Sequence, residues 1–173
     1  MAIRLAARLF LPVGVFALAF GTSSANLFAV DKAAGSELSS AISQAKLFAG
    51  LTDQEKTALE AAASLRHGAQ GERIIEQGKS SGKMFIVLEG QAEVRINGKS
   101  VATLPEQSLV GEVEFLDGPP GTGDVVLSKD TDLIVLDNAA LGDLMKKQPR
   151  LGYALMSEIA RIEARRLKAM NPK

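Results

Sequence analysis

Along this chain the spacing of apolar residues passes through four regimes. Leu9 to Phe20 (LFLPVGVFALAF) is apolar almost without interruption. Ser36 to Leu47 (SELSSAISQAKL) places Leu38, Ile42 and Ala45 at helical intervals, and Phe48 stands just ahead of a stronger start signal. In Thr52-Asp53-Gln54-Glu55 the threonine hydroxyl can accept from the Glu55 N–H while the glutamate reaches back, a reciprocal cap that opens helices. Leu59, Ala62 and Leu65 then share one face, so the spacing predicts a helix that ends before Gly68.

From Gly71 the period becomes two. ERIIEQG, KMFIVLEG, QAEVRINGK and SVATL are short segments rich in β-branched residues, divided by Gly78, Gly82, Gly90 and the Asn97-Gly98 pair. Asn-Gly is a strong hairpin signal, because a type I′ turn needs positive φ at both central residues. Val125 to Ser128 and Leu133 to Leu136 add two strands around the turn Lys129-Asp130. So regular a succession predicts an antiparallel β-barrel or jelly roll, not a parallel sheet wound with helices.

Helical spacing returns at Asp137. Asn138 is placed to cap a short helix through Leu141, Leu144 and Met145, and Pro149 divides it from a last helix, Arg150 to about Met170. On that helix Leu155, Ile159 and Ile162 lie at coiled-coil spacing, with Arg166 at the next seam position. The stripe fits packing on the chain's own barrel and pairing of two subunits equally well. Arg161, Arg165, Arg166 and Lys168 read as a solvated basic face. The predicted class is α+β: an antiparallel barrel or jelly roll flanked by N-terminal helices and a C-terminal helix.

The apolar run at the N-terminus changes the picture of where the chain works. Arg4 and Arg8 precede it and the small residues GTSSA, ending at Ala25, follow it, which are the three parts of a secretory signal peptide. A permanent spanning helix needs about 20 apolar residues, more than this run has. Residues 1–25 are therefore read as a signal peptide, 26–46 as a linker and first helix, and 47–171 as one domain. Export to the periplasm is the expectation; an uncleaved N-terminus would tether the domain to a membrane instead. Removing the leader takes away two arginines and no acid, so a chain of formal charge zero becomes mildly acidic. With 46% apolar and 23% charged residues, neither disorder nor a broad nucleic-acid surface is indicated. The absence of cysteine excludes disulfides, thiol catalysis and thiolate metal sites.

Candidate chemistry centres on GPPGTGD, Gly118 to Asp124. Its first six letters open a nucleotide-triphosphate loop, but Asp124 stands where the lysine should be and Val125 lacks the hydroxyl for Mg²⁺. It also leads into a strand, not a helix. His67, the single histidine, has no second histidine or cysteine for a metal site and no partners for a triad, and Glu72, Glu76 and Glu89 alternate with apolar residues as strand exteriors do. No catalytic residue, no metal site and no enzyme activity is predicted.

Taken in order, LFAGLTDQEKTAL, GERIIEQGKSSGKMFIVLEGQAEV, LVGEVEFLDGPPGTGDVV and TDLIVLDNAALGDLM resemble the cyclic-nucleotide-binding domain of the catabolite activators, kinase regulatory subunits and gated channels, over roughly Leu47 to Arg166. The resemblance implies a phosphate-binding cassette in which Gly111 offers its N–H to the ligand and Glu112 binds the ribose 2′-hydroxyl. It also implies an arginine ten or eleven positions past the glycine, and those positions are Gly121 and Thr122. Gly121, Thr122 and Gly123 could turn N–H groups, and Thr122 its hydroxyl, toward a cyclic nucleotide or other small anion. Against them stand Glu112, Glu114, Asp117 and Asp124, and the acids are expected to prevail. The sequence thus implies a non-enzymatic regulatory or sensory module with no output domain, no required cofactor and weak or altered ligand binding. The alternative is an exported interaction protein that keeps the barrel as a scaffold. A protein partner is expected, nucleic acid is not, and the C-terminal helix is the element through which a homodimer would form.

Overall fold

The computed structural model describes residues 35–118 and 120–171, so the leader 1–25 lies outside the described residues. Residues 35–44 form helix α1, followed by a single 3-10 turn at Lys46–Phe48 and by α2, Asp53–Leu59. The cap at Thr52 is complete: its hydroxyl accepts from the Glu55 N–H and its own N–H donates to Glu55 Oε2 at 2.8 Å. Arg150 also donates to that carboxylate, tying the cap to the start of the last helix.

Eight strands follow: β1 Ala63–Gly68, β2 Arg73–Ile75, β3 Lys83–Glu89, β4 Ala92–Ile96, β5 Lys99–Leu104, β6 Leu109–Val110, β7 Asp124–Leu127 and β8 Thr131–Asp137. They form two four-stranded antiparallel sheets, in the orders β1-β8-β3-β6 and β2-β7-β4-β5. The arrangement is the expected jelly-roll type with flanking helices; it is two sheets, without continuous pairing around a barrel. Asn97 and Gly98 have φ of 51° and 77°, the left-handed pair that the β4–β5 hairpin requires.

Residues 63–68 depart from the sequence reading. The helix predicted to reach Gly68 stops at Leu59, a 3-10 turn covers Glu60–Ala62, and Ala63 to Gly68 pair in register with Leu136 to Thr131. Leu65 had matched the helical face, but six residues of backbone pairing against β8 outweigh a weak local preference. The helix cap after β8 shifts too: the Asp137 carboxylate, not Asn138, accepts from the Ala140 N–H at 2.9 Å and opens α4, Asn138–Lys147.

Central strands are apolar on both faces because each face meets a different layer. Met84, Ile86, Ile134 and Leu136 face Phe48, Leu59, Leu141, Leu151, Leu155 and Ile159 of the helices and turns. Their neighbours Phe85, Val87, Leu133 and Val135 meet Ile75, Ala92, Val125 and Leu127 of the other sheet. Helix α5, Pro149–Met170, contributes Leu155 and Ile159 to the first layer, both fully buried within this chain, with Ile162 packed beside them. The stripe that fitted either barrel packing or subunit pairing is therefore occupied by the chain's own body. Phe48→Ala, which empties a fully buried site, is expected to lower the unfolding free energy by roughly 3–5 kcal/mol, and Thr52→Ala, which removes one cap, by about 1 kcal/mol. Urea denaturation followed by circular dichroism checks the ranking; equal losses would contradict it.

Candidate functional site

Strand β6 delivers the chain to Gly111, whose φ of 85° lies in the left-handed region. A Cβ there would come within 2.4 Å of the Lys83 carbonyl oxygen and 3.2 Å of Met84 Cα, so the turn can press against β3 only without a side chain. From it springs α3, Glu112–Asp117, whose two buried residues are both glutamates.

Glu112 is answered from the far end of the chain. Arg166 of α5 donates from Nη1 to Glu112 Oε1 at 2.5 Å and to Glu163 Oε1 at 2.8 Å, and from Nη2 to the Leu109 carbonyl. The other oxygen, Glu112 Oε2, is buried and has no hydrogen-bond partner. Burial raises the carboxyl's pKa, and the Arg166 guanidinium only partly offsets that. The basic run is not a uniformly solvated face: Arg161 and Arg165 pair with Glu158 on the helix surface, whereas Arg166 turns inward to the cassette.

Glu114 clasps the opposite flank. Its carboxylate accepts from the Ser81 N–H at 2.8 Å, the Gly82 N–H at 2.9 Å, the Ser81 hydroxyl at 3.1 Å and the Ser80 hydroxyl, all in the β2–β3 loop. Burial would raise its pKa, but the hydrogen bonds from Ser80, Ser81 and Gly82 together prevail and hold it at about 2. Asp124 is engaged as well: it accepts from the Gln77 N–H at 2.8 Å and lies 3.7 Å from Arg73 Nη1. Of the acids expected to repel an anion, Asp117 is exposed at the end of α3, and the other three are built into the cassette's own bonding.

Gly121 lies against the same loop. Its N–H donates to the Lys79 carbonyl at 3.3 Å, and its carbonyl accepts from the Gly78 N–H at 2.9 Å. Thr122 is exposed, and a Cβ on Gly123 would come within 2.9 Å of the Arg95 carbonyl oxygen. Gly111 and Gly121 both lie against Ile75 of β2, where a Cβ would come within 3.4 and 3.3 Å of its side chain; Glu112 turns from there toward α5, and Gly121 to Gly123 run between the β2–β3 loop and β4. A concave space of about 570 Å³ opens beside the latter, lined by Arg73, Ile74, Ile75, Glu76, Lys79, Ser80 and Ser81. Sequence reasoning missed Arg166 and the loop residues as parts of the site. Arg166 did carry a signal, its place on the inward stripe after Ile162. His67 sits on β1 with Nδ1 at 2.8 Å from Asp132 Oδ1 and its side chain largely exposed.

Residues 65–148 match the family model of the cyclic nucleotide-binding domain. It is 29% identical over 109 residues to the Pycsar effector protein XpPycTIR of Xanthomonas perforans, a match covering 62% of this chain and 36% of the effector. The fold is similar to that of a cyclic nucleotide-binding domain from Methylobacillus flagellatus, with TM-score 0.68, 22% identity and 81% coverage of both chains. It is also similar to the regulatory subunit of a cAMP-independent protein kinase A from Trypanosoma brucei, with TM-score 0.59, 25% identity, and 69% and 46% coverage. The chain spans about a third or less of the length of the curated relatives it matches.

Because the Glu114 pKa is depressed in the fold, its stabilisation is complete above the ordinary value of 4.5 and is lost as pH falls toward 2. Glu114→Gln is expected to lower the unfolding free energy at neutral pH by roughly 1–3 kcal/mol. The gap to wild type should close as the buffer is taken down through that window. Urea midpoints across the range check it; a gap that does not depend on pH would contradict the clasp.

Proposed function

We propose that this chain is a regulatory or sensory module in which a ligand at the cassette is read out by the C-terminal helix, with binding weaker than, or different from, that of an arginine-bearing cassette. One observation carries the reading: the buried Glu112 carboxylate has one oxygen joined to Arg166 of α5 and the other without a partner. A ligand hydroxyl donating to Oε2 would satisfy that oxygen and redistribute the charge that holds Arg166. Ligand binding and the position of α5 would then be linked by differential affinity, with no need for a separate relay.

Gly121 and Thr122 stand where an arginine would grip a cyclic phosphate. Two charge-assisted bonds at about 1.5–3 kcal/mol each are missing, which weakens binding by roughly a hundredfold or more. Relatives support a regulatory role whose ligand need not be cyclic AMP, since one similar protein is described as an effector and another as a cAMP-independent kinase subunit. A second reading, an interaction protein that has abandoned the ligand, draws support from the Gly121 N–H, which is engaged by Lys79.

Calorimetric titration of the full chain with cyclic AMP and cyclic GMP, joined to amide hydrogen exchange, separates the two. Weak binding with altered protection in the last two turns of α5 is the expected result. No heat and no thermal shift at millimolar ligand would leave the scaffold reading. Among the described residues no helix is long and apolar enough to cross a membrane. We propose further that residues 1–25 are removed on export; intact mass should place the mature start after Ala25, and an intact Met1 would favour the tethered form.

A further inference from the structure

We propose that the β2–β3 loop supplies the cation that the cassette lacks: Lys79, with Arg73 beside it, forms a binding site for the phosphate of a nucleotide-sized ligand in the groove against Gly121. The inference rests on the reading above, and names the residues that would hold the anion.

Gly121 occupies the sequence position at which the arginine is absent, and its peptide is bonded on both sides to the β2–β3 loop, N–H to the Lys79 carbonyl and carbonyl to the Gly78 N–H. A Cβ at Gly121 would sit 3.3 Å from Ile75 Cγ2, so the backbone here lies close against β2. The β2–β3 loop beside it carries a lysine at the point of contact.

The groove holds about 570 Å³, within the usual range for small-molecule sites, with Ile74 and Ile75 as apolar lining and Arg73, Lys79, Ser80 and Ser81 as polar lining. Lys79 is 70% exposed and Arg73 52% exposed, so neither is locked into the core. Glu76 lies between them, 3.0 Å from Lys79 Nζ and 3.9 Å from Arg73 Nη1, and Asp124 lies 3.7 Å from the same Arg73 nitrogen, which leaves Lys79 as the principal cation. Both Glu76 pairs are solvent-exposed and contribute little to stability, so Glu76 can rotate away. It acts as an internal competitor on the spot a phosphate would take. The clasp on Glu114 holds the loop in place, because Ser81 and Gly82 donate their N–H groups to it.

The test is a titration of the full chain, wild type and variants, with cyclic AMP and separately with pyrophosphate as a base-free probe, read by amide NMR shifts. Cyclic AMP is expected to shift Lys79, Gly121 and Glu112, Lys79→Ala to weaken binding about tenfold, and Glu76→Gln to tighten it. A merely structural role for Lys79 would not produce the gain with Glu76→Gln, and unchanged thermal unfolding of Lys79→Ala confirms an intact fold. If cyclic AMP binds and neither variant alters its affinity, the loop site is overturned while the sensory reading stands. If pyrophosphate shifts Lys79 and Gly121 while cyclic AMP shifts nothing, the loop site stands and the cyclic-nucleotide reading falls. No shift with either probe overturns both.

Discussion

A carboxylate buried at the first residue of a short helix is the constraint around which this domain is arranged. Taking Glu112 out of water is unfavourable unless a positive group follows it in, and the group available is Arg166, 54 residues later in sequence. The pair therefore fixes the far half of α5 against the cassette. It also fixes β6, since the same guanidinium binds the Leu109 carbonyl. Gly111 completes the arrangement by letting the chain turn where a side chain would strike β3. One oxygen of Glu112 is still without a bond, so the carboxylate that secures the helix keeps an unused acceptor.

The other acids have been given structural work. Glu114 organises three consecutive residues of the β2–β3 loop, and Asp124 receives the Gln77 N–H at the start of β7. A cassette crowded with carboxylates is thereby compatible with an intact loop, and Ser81 and Gly82 direct their N–H groups at protein instead of at a ligand. Cationic side chains remain at the groove's rim, Lys79 shared with Glu76 and Arg73 shared with Glu76 and Asp124. Loop and helix are held by opposite flanks of α3, which makes that one short helix the junction between the β2–β3 loop and α5.

Much of this was legible in the sequence where local chemistry decides the outcome. The Thr52–Glu55 cap, the Asn97-Gly98 turn and the succession of short strands follow from residue types within a few positions of each other. Ala63 to Gly68 was not legible, because its strand state comes from pairing with β8, some seventy residues away in sequence. The site divides in the same way. Gly111 and Glu112 were singled out by the resemblance of their cassette to a known family, whereas the partner of Glu112, the donors to Glu114 and the contact of Gly121 with Lys79 are products of the tertiary fold. Periodicity left Arg166 at the next seam position of α5, and its charge grouped it with the solvated basic run, so neither its inward turn nor its partner was visible.

The account depends on the Glu112–Arg166 pair being an energetic coupling and not only a proximity. A double-mutant cycle on unfolding free energy, with Glu112→Gln, Arg166→Gln and the pair together, measures that directly. The account predicts a coupling of about 1 kcal/mol or more, within the range for buried neighbouring charges. Single losses that simply add, to within about 0.3–0.5 kcal/mol, would contradict it.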